Sequence, residues 1–256
     1  MRALFALLHR LVAFEWLRLR RGRQLRVAAL IAAAVSAATL VALVASPEAQ
    51  LESTLNDVFF WGMFNVFAYA LAFVFHAGII ADEVQARTLA FLVSRPLPRP
   101  TLLLSKYVAG SALSWLLLWV ALLVVEALLG LRSVTLLRDQ GLWVVRAGLA
   151  LMLLTALYAA VASMWSALLP EAAATMTALH LGIFEFAGSW MPGSFRWISF
   201  NYAAQQLADL PPRGLLPELA PLVDPVAAAA LLIAATALFL GLAIWTFQTS
   251  EYRAST

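Results

Sequence analysis

The sequence predicts an all-α membrane protein, and three observations predict it. Hydrophobic residues fill 63% of the 256 positions and charged residues only 12%, with a mean hydropathy of +0.88. Soluble domains carry about 25% charged residues, so half that share leaves too little polar surface to solvate a globule of this size. The apolar residues also fall into long runs, and the basic residues gather in alternate segments between those runs. The formal net charge of +3 is too small to point to nucleic acid.

A helix rises about 1.5 Å per residue and the hydrocarbon layer is about 30 Å thick, so a span needs roughly 20 apolar residues. Six segments qualify: 27–45, 58–81, 107–131, 141–169, 171–190 and 226–247. Pro170 divides the fourth from the fifth, because proline disfavours helix at the residue before it, and Glu171 suits the positive start of the next helix. A five-span arrangement with 171–190 re-entrant is the alternative. All six segments and their connections read as one transmembrane domain over 1–256.

Residues 1–26 hold seven arginines ahead of the first apolar run. That is longer and more basic than the start of a signal peptide, and no small-residue cleavage site interrupts the run, so a retained first span is expected. On a helical wheel Leu4, Leu7, Leu8, Leu11 and Phe14 share one side, with Arg2, His9 and Arg20 opposite and Arg18 on the apolar side. The stretch reads as a helix lying in the membrane interface near anionic headgroups, turning at "RRGRQ" into the first span. A plain orientation signal is the simpler reading. Segments 1–26, 82–106, 170–171 and 248–256 carry twelve Lys or Arg, against four in 46–57, 132–140 and 191–225. The excess places both termini and the 82–106 loop in the cytoplasm. The external 191–225 segment, with six prolines and "FRWISFNY", suits short interfacial or re-entrant helices, with Trp197 and Tyr202 at headgroup level.

The loop 82–106 breaks the apolar pattern with acids, bases and prolines. Asp82 is suited to cap a helix over 83–94. Pro96, Pro98 and Pro100 then stop it, each lacking a donor and restricting its predecessor, and leave a stiff arm running to Lys106, the only lysine. Glu83 is expected to face water, Leu89 and Leu92 to offer apolar anchors, and Arg99 to meet headgroups. The simpler reading is a solvated linker.

An arginine-rich interfacial helix with a Glu ("FEWLRLRR"), two spans, and then "E…T-L-x-x-L-x-S-x-P-x-x-R" running to a Lys resemble the permease subunit of ABC-2 type transporters. The matching positions are Glu83, Thr88, Leu89, Leu92, Ser94, Pro96, Arg99 and Lys106. The sequence departs from the pattern at Arg87, where a Gly often precedes the Thr. The resemblance covers the whole chain in topology and about 30 residues in motif. It implies that the loop forms a coupling helix docking on an ATP-binding-cassette subunit, through Asp82, Glu83, Arg87, Thr88, Leu89, Leu92, Arg95 and Pro96. It also implies a dimer of permeases, with a second copy or a paralogue, served by two ATPase subunits. Export from the cytoplasm or inner leaflet across a bacterial cytoplasmic membrane follows from the same likeness.

No G-x-x-x-x-G-K-[ST] loop precedes Lys106, so ATP and Mg are expected on the partner subunit and no cofactor on this chain. With no cysteine and with His9, His76 and His180 on three separate segments, neither a metal cage nor an enzyme is expected. Glu126, Arg146 and Glu185 lie within spans, each five residues from the external end. Intramembrane charge costs about 2.5–3.5 kcal/mol on insertion scales and usually faces protein or water. A Glu126–Arg146 pair between neighbouring spans is expected, with Glu185 sharing the guanidinium, lining a cavity or staying protonated. The layer is either structural or part of the translocation path. His180 reads as a hydrogen-bonded helix contact. An ATPase-independent secondary transporter or a membrane anchor recruiting cytoplasmic proteins are the alternatives. The former predicts ionisable groups at the midplane, whereas these charges cluster near one surface.

Overall fold

The computed structural model describes residues 2–88, 98–213 and 223–250. The chain opens with α1 (Arg2–Arg21), bends at Gly22, and continues as α2 (Arg23–Ala45). The turn thus falls at "RRGRQ". Only part of the leucine side of the wheel meets the bundle. Glu15 and Leu19 are buried, Val12 and Trp16 pack beside the core, and Phe14 points outward at 63% exposure.

After a 3₁₀ turn over Glu48–Gln50, one winding path runs through α3 (Leu51–Asp57), π1 (Val58–Phe67) and α4 (Ala68–His76). A turn over 77–80 leads into α5 (Ala81–Gln85). A π-helical stretch of ten residues is long, since such geometry mostly occurs as single turns. Asn65 accounts for part of it: its amide donates to the Phe60 carbonyl at 2.6 Å, five residues back, competing with the regular backbone ladder. The buried side chains of Phe59, Phe60, Met63, Phe64 and Phe67 on π1 hold the widened turns against the core.

Two long helices, α6 (Arg99–Arg132) and α7 (Val134–Leu168), form the centre and are joined by Ser133 alone. Ser133 accepts a hydrogen bond from the Leu136 amide and so caps α7. The 132–140 connection expected as a loop is therefore mostly helix. Pro100 sits in the first turn of α6, where its missing donor costs nothing. It starts this helix rather than ending one. The alanines and Gly148 of α7, such as Ala147, Ala150, Ala159 and Ala160, are buried and let neighbouring helices approach closely. This is where the alanine bias of the sequence is used.

Helix α7 stops at Leu169, whose φ of −134° and ψ of 71° are non-helical, as expected ahead of Pro170. The next run changes type twice: α8 (Ala173–Leu179), π2 (His180–Glu185) and α9 (Phe186–Trp190). A 3₁₀ turn (Gly193–Ile198), α10 (Phe200–Leu207) and α11 (Pro225–Thr249) follow. Asp224 caps α11 by accepting from the Ala227 amide.

Among the described residues the fold is all-helical, and five helices are long and apolar enough to cross a bilayer: Arg23–Ala45, Glu48–Gln85, Arg99–Arg132, Val134–Leu168 and Pro225–Thr249. The 173–190 run is not one of them. Large apolar side chains such as Leu30, Val41, Leu123, Leu149, Ile233 and Trp245 stand exposed around the bundle. Water would not tolerate so much apolar surface, and lipid does. The protein is an integral membrane protein.

Candidate functional sites: an ion cluster and a buried polar network

At the end of the bundle where α1 meets α6, four charged side chains converge. Lys106 on α6 sits 2.7 Å from Glu83 and 3.7 Å from Glu15, with its side chain only 3% exposed. Arg18 on α1 reaches Glu15 at 2.7 Å and Glu83 at 3.5 Å. Glu15 and Arg18 are three apart on one helix, so they share a face. The buried lysine is what makes the cluster hold: two carboxylates on two different elements compensate one desolvated ammonium. Arg18, on the wrong side of the helical wheel for an interfacial helix, is therefore one arm of this cluster. Glu83, expected to face water, is instead largely shielded and tied to two other helices.

Helix α5 is fastened from its other sides too. The Ser166 hydroxyl accepts from the Ile80 and Ala81 amides, 3.0 Å each, satisfying free donors at the start of α5. Gln85 donates to the Pro170 carbonyl at 3.2 Å. Asp82 lies inside the first turn of α5, which begins at Ala81, so it does not cap a helix starting at 83. The helix ends after Gln85: the Arg87 amide bonds to the Val84 carbonyl and the Thr88 amide to the Glu83 carbonyl. These bonds form a Schellman turn, and Arg87 occupies its left-handed position with φ +58°. That is the position where glycine is least costly, which explains why a Gly suits the place before the Thr. The Thr88 hydroxyl also bonds to the Glu83 carboxylate. Leu89, Leu92, Arg95 and Pro96 lie outside the described residues.

Arg99, at the start of α6, donates to the carbonyls of Phe247, Gln248 and Ser250 at 3.2–3.3 Å. It closes the C-terminus of α11, where a cation complements the free carbonyls and the helix dipole. The expected headgroup contact is replaced by a link between α6 and α11.

The second site lies inside the bundle. Glu185, 2% exposed, accepts from the Asn201 amide at 3.0 Å, the Ser199 hydroxyl at 3.2 Å and the Tyr158 hydroxyl at 3.4 Å. The Asn201 side chain donates to Asn65 at 2.7 Å and to the Tyr69 hydroxyl at 3.0 Å, and accepts from Gln205 at 3.2 Å. Gly188 permits this approach, because a Cβ there would stand 3.1 Å from the Ser199 Cβ. Both π-helical segments feed the network, π1 through Asn65 and π2 through Glu185. The network fixes α10 deep in the bundle, so Tyr202 is 1% exposed rather than at headgroup level, while Trp197 remains 47% exposed.

The expected Glu126–Arg146 pair does not form. Arg146 donates to the Leu207 carbonyl at 2.7 Å and pairs with Asp209 at 3.2 Å, capping the end of α10. Glu126 is half-buried and has no ion pair among the described residues, and Glu185 shares no guanidinium there. The three intramembrane charges thus belong to separate settings. His180 accepts from the Trp165 indole at 3.4 Å, a helix contact. No metal-holding group of side chains occurs among the described residues.

The residues that sequence reasoning misses are partners: Ser166, Asn65, Tyr69, Tyr158, Ser199 and Asn201, while Glu15, the acid of "FEWLRLRR", carries no partner in that reading. Asn65 carries a signal, as an amide inside an apolar run. A family model described as ABC-2 family transporter protein matches residues 11–185, well over half the chain. None of the curated proteins matches the sequence.

Proposed function

The chain belongs to the ABC-2 transporter family, and from that premise we propose that it is the permease subunit of an ATP-driven exporter. Membrane subunits of this family generally work with ATPase subunits. In our reading two permeases, two copies or this chain and a paralogue, form the pathway and two ATP-binding-cassette subunits drive it. This chain performs no catalysis: ATP and Mg sit on the partner. The basic segments put the ion-cluster end, and both termini, on the cytoplasmic side of a bacterial cytoplasmic membrane. The run 171–190 counts as the span that brings a single transmembrane domain to six, α1 as the interfacial elbow, and 82–106 as the coupling loop.

One observation carries the reading. At the start of the loop, α5 is bonded at once to α1, α6 and the α7 end through Glu83, Ser166 and Gln85. A push on this loop by a partner therefore reaches three helices together. A flexible linker would dissipate it. Co-expression with the ATP-binding-cassette subunit encoded nearest to this chain tests the proposal. A stable complex whose ATP hydrolysis requires the partner is expected. Hydrolysis by the isolated chain, or failure to associate with the ATPase, overturns it.

A further inference from the structure

Beside the ion cluster, a groove of about 390 Å³ opens between the start of α2, the α4–α5 turn and the α7–α8 turn. Val27, Phe73 and Val74 line it with apolar surface, the first two exposed at 36% and 37%, and its rim carries Arg23, Asp82 and Glu171. The three rim charges are exposed and have no ion pair among the described residues. The Asp82 carboxylate lies over Gly78, where a Cβ would overlap it, so the glycine makes room for that acid at the groove.

In a chain that crosses a bilayer, a groove with an exposed apolar lining and a charged rim is matched by an amphiphile, not by water. The volume falls within the range of small-molecule sites, about 300–1,000 Å³. One base and two acids on the rim fit a headgroup that carries both signs. We propose that the groove holds the headgroup of one resident phospholipid of the phosphatidylethanolamine type. Its phosphate meets Arg23, its ammonium lies at Asp82 and Glu171, and its acyl chains follow Val27 and Phe73. An anionic phospholipid would meet a rim with a net negative charge, and a choline headgroup has no N–H to donate to the carboxylates. The exposed arginines of α1 favour anionic lipid elsewhere on the same end, so this groove and that face select different lipids. The inference rests on the chain crossing a bilayer, and it shares Asp82, the first residue of the 82–106 loop, with the proposed coupling site.

The test is native mass spectrometry of the full chain after exchange into detergent with equal amounts of phosphatidylethanolamine and phosphatidylglycerol of the same acyl chains. Wild type is expected to retain one phosphatidylethanolamine in preference. Asp82→Asn with Glu171→Gln is expected to lower that retention about tenfold, the scale set by removing two exposed charge pairings together. Ala174→Trp, at an exposed position lining the groove, fills the site without touching its charges and is expected to expel the lipid at an unchanged melting temperature. Equal retention of phosphatidylglycerol by wild type overturns the proposal. So does undiminished phosphatidylethanolamine on the Ala174→Trp chain.

Discussion

Two polar assemblies sit in one apolar bundle, and they are built on opposite principles. The Glu15–Arg18–Glu83–Lys106 cluster joins full charges of both signs, and one arm, Arg18, is 46% exposed. The Glu185 network gathers hydroxyls and amides around one carboxyl group and has no ion pair among the described residues. The first assembly ties separate helices at the end that meets a partner in our reading. The second fixes α10 within the bundle. The difference teaches two ways of holding a buried charged or ionisable group: with opposite charges from three elements in the first assembly, and with neutral donors in the second.

The comparison can be broken most forcefully at Lys106. Lys106→Ala leaves Glu15 and Glu83 shielded and without their ammonium, and removing one partner of a buried pair costs about 3–5 kcal/mol. A large fall in melting temperature in detergent is the expected readout, and an unchanged one would mean that the cluster contributes nothing. Next comes Glu185→Ala, which strands the Asn201 amide and two hydroxyls. A loss of about 1–3 kcal/mol is expected, with Glu185→Gln losing less because an acceptor oxygen remains. Equal losses for both would show that the hydrogen bonds to this oxygen are unimportant.

Smaller effects sharpen the contrast. Arg146→Ala removes a carbonyl cap and a largely exposed ion pair, so about 1 kcal/mol is expected. Combined with Glu126→Ala the two effects should add, since the residues do not touch; a coupling in the thermal double-mutant cycle would restore the pair that the structure rejects. Arg87→Gly should raise stability by up to about 1 kcal/mol, because φ +58° suits glycine. A lowered melting temperature would place the value of Arg87 in its side chain. Arg18→Gln should cost least, below about 1 kcal/mol, and its effect should vanish at high salt, as expected of an exposed arm.

Much of the fold is legible in the sequence because it depends on composition and on proline. Long apolar runs, the bend at Gly22 and the break before Pro170 follow from local rules. The sites are harder for specific reasons. Arg146 binds a backbone carbonyl, and carbonyls carry no mark in a count of side-chain charges. Glu83 reads as solvated because its loop is polar, yet Lys106 and Arg18 reach it from two other helices. Periodicity shows which face a residue occupies, not which residue it meets. The π-helical segments are illegible because no spacing rule distinguishes a widened turn from a regular one. Only Asn65, an amide in an apolar run, hints at one of them.

The most direct test of the central claim, that the first loop is fastened to the spans through Glu83 and Lys106, is a charge swap. Glu83→Lys, Lys106→Glu and the double change are compared by thermal unfolding in the same detergent. The account predicts that each single reversal is severely destabilising and that the double change recovers a substantial part, a coupling of about 1.5 kcal/mol or more. Additive effects, or a harmless Glu83→Lys, would contradict it.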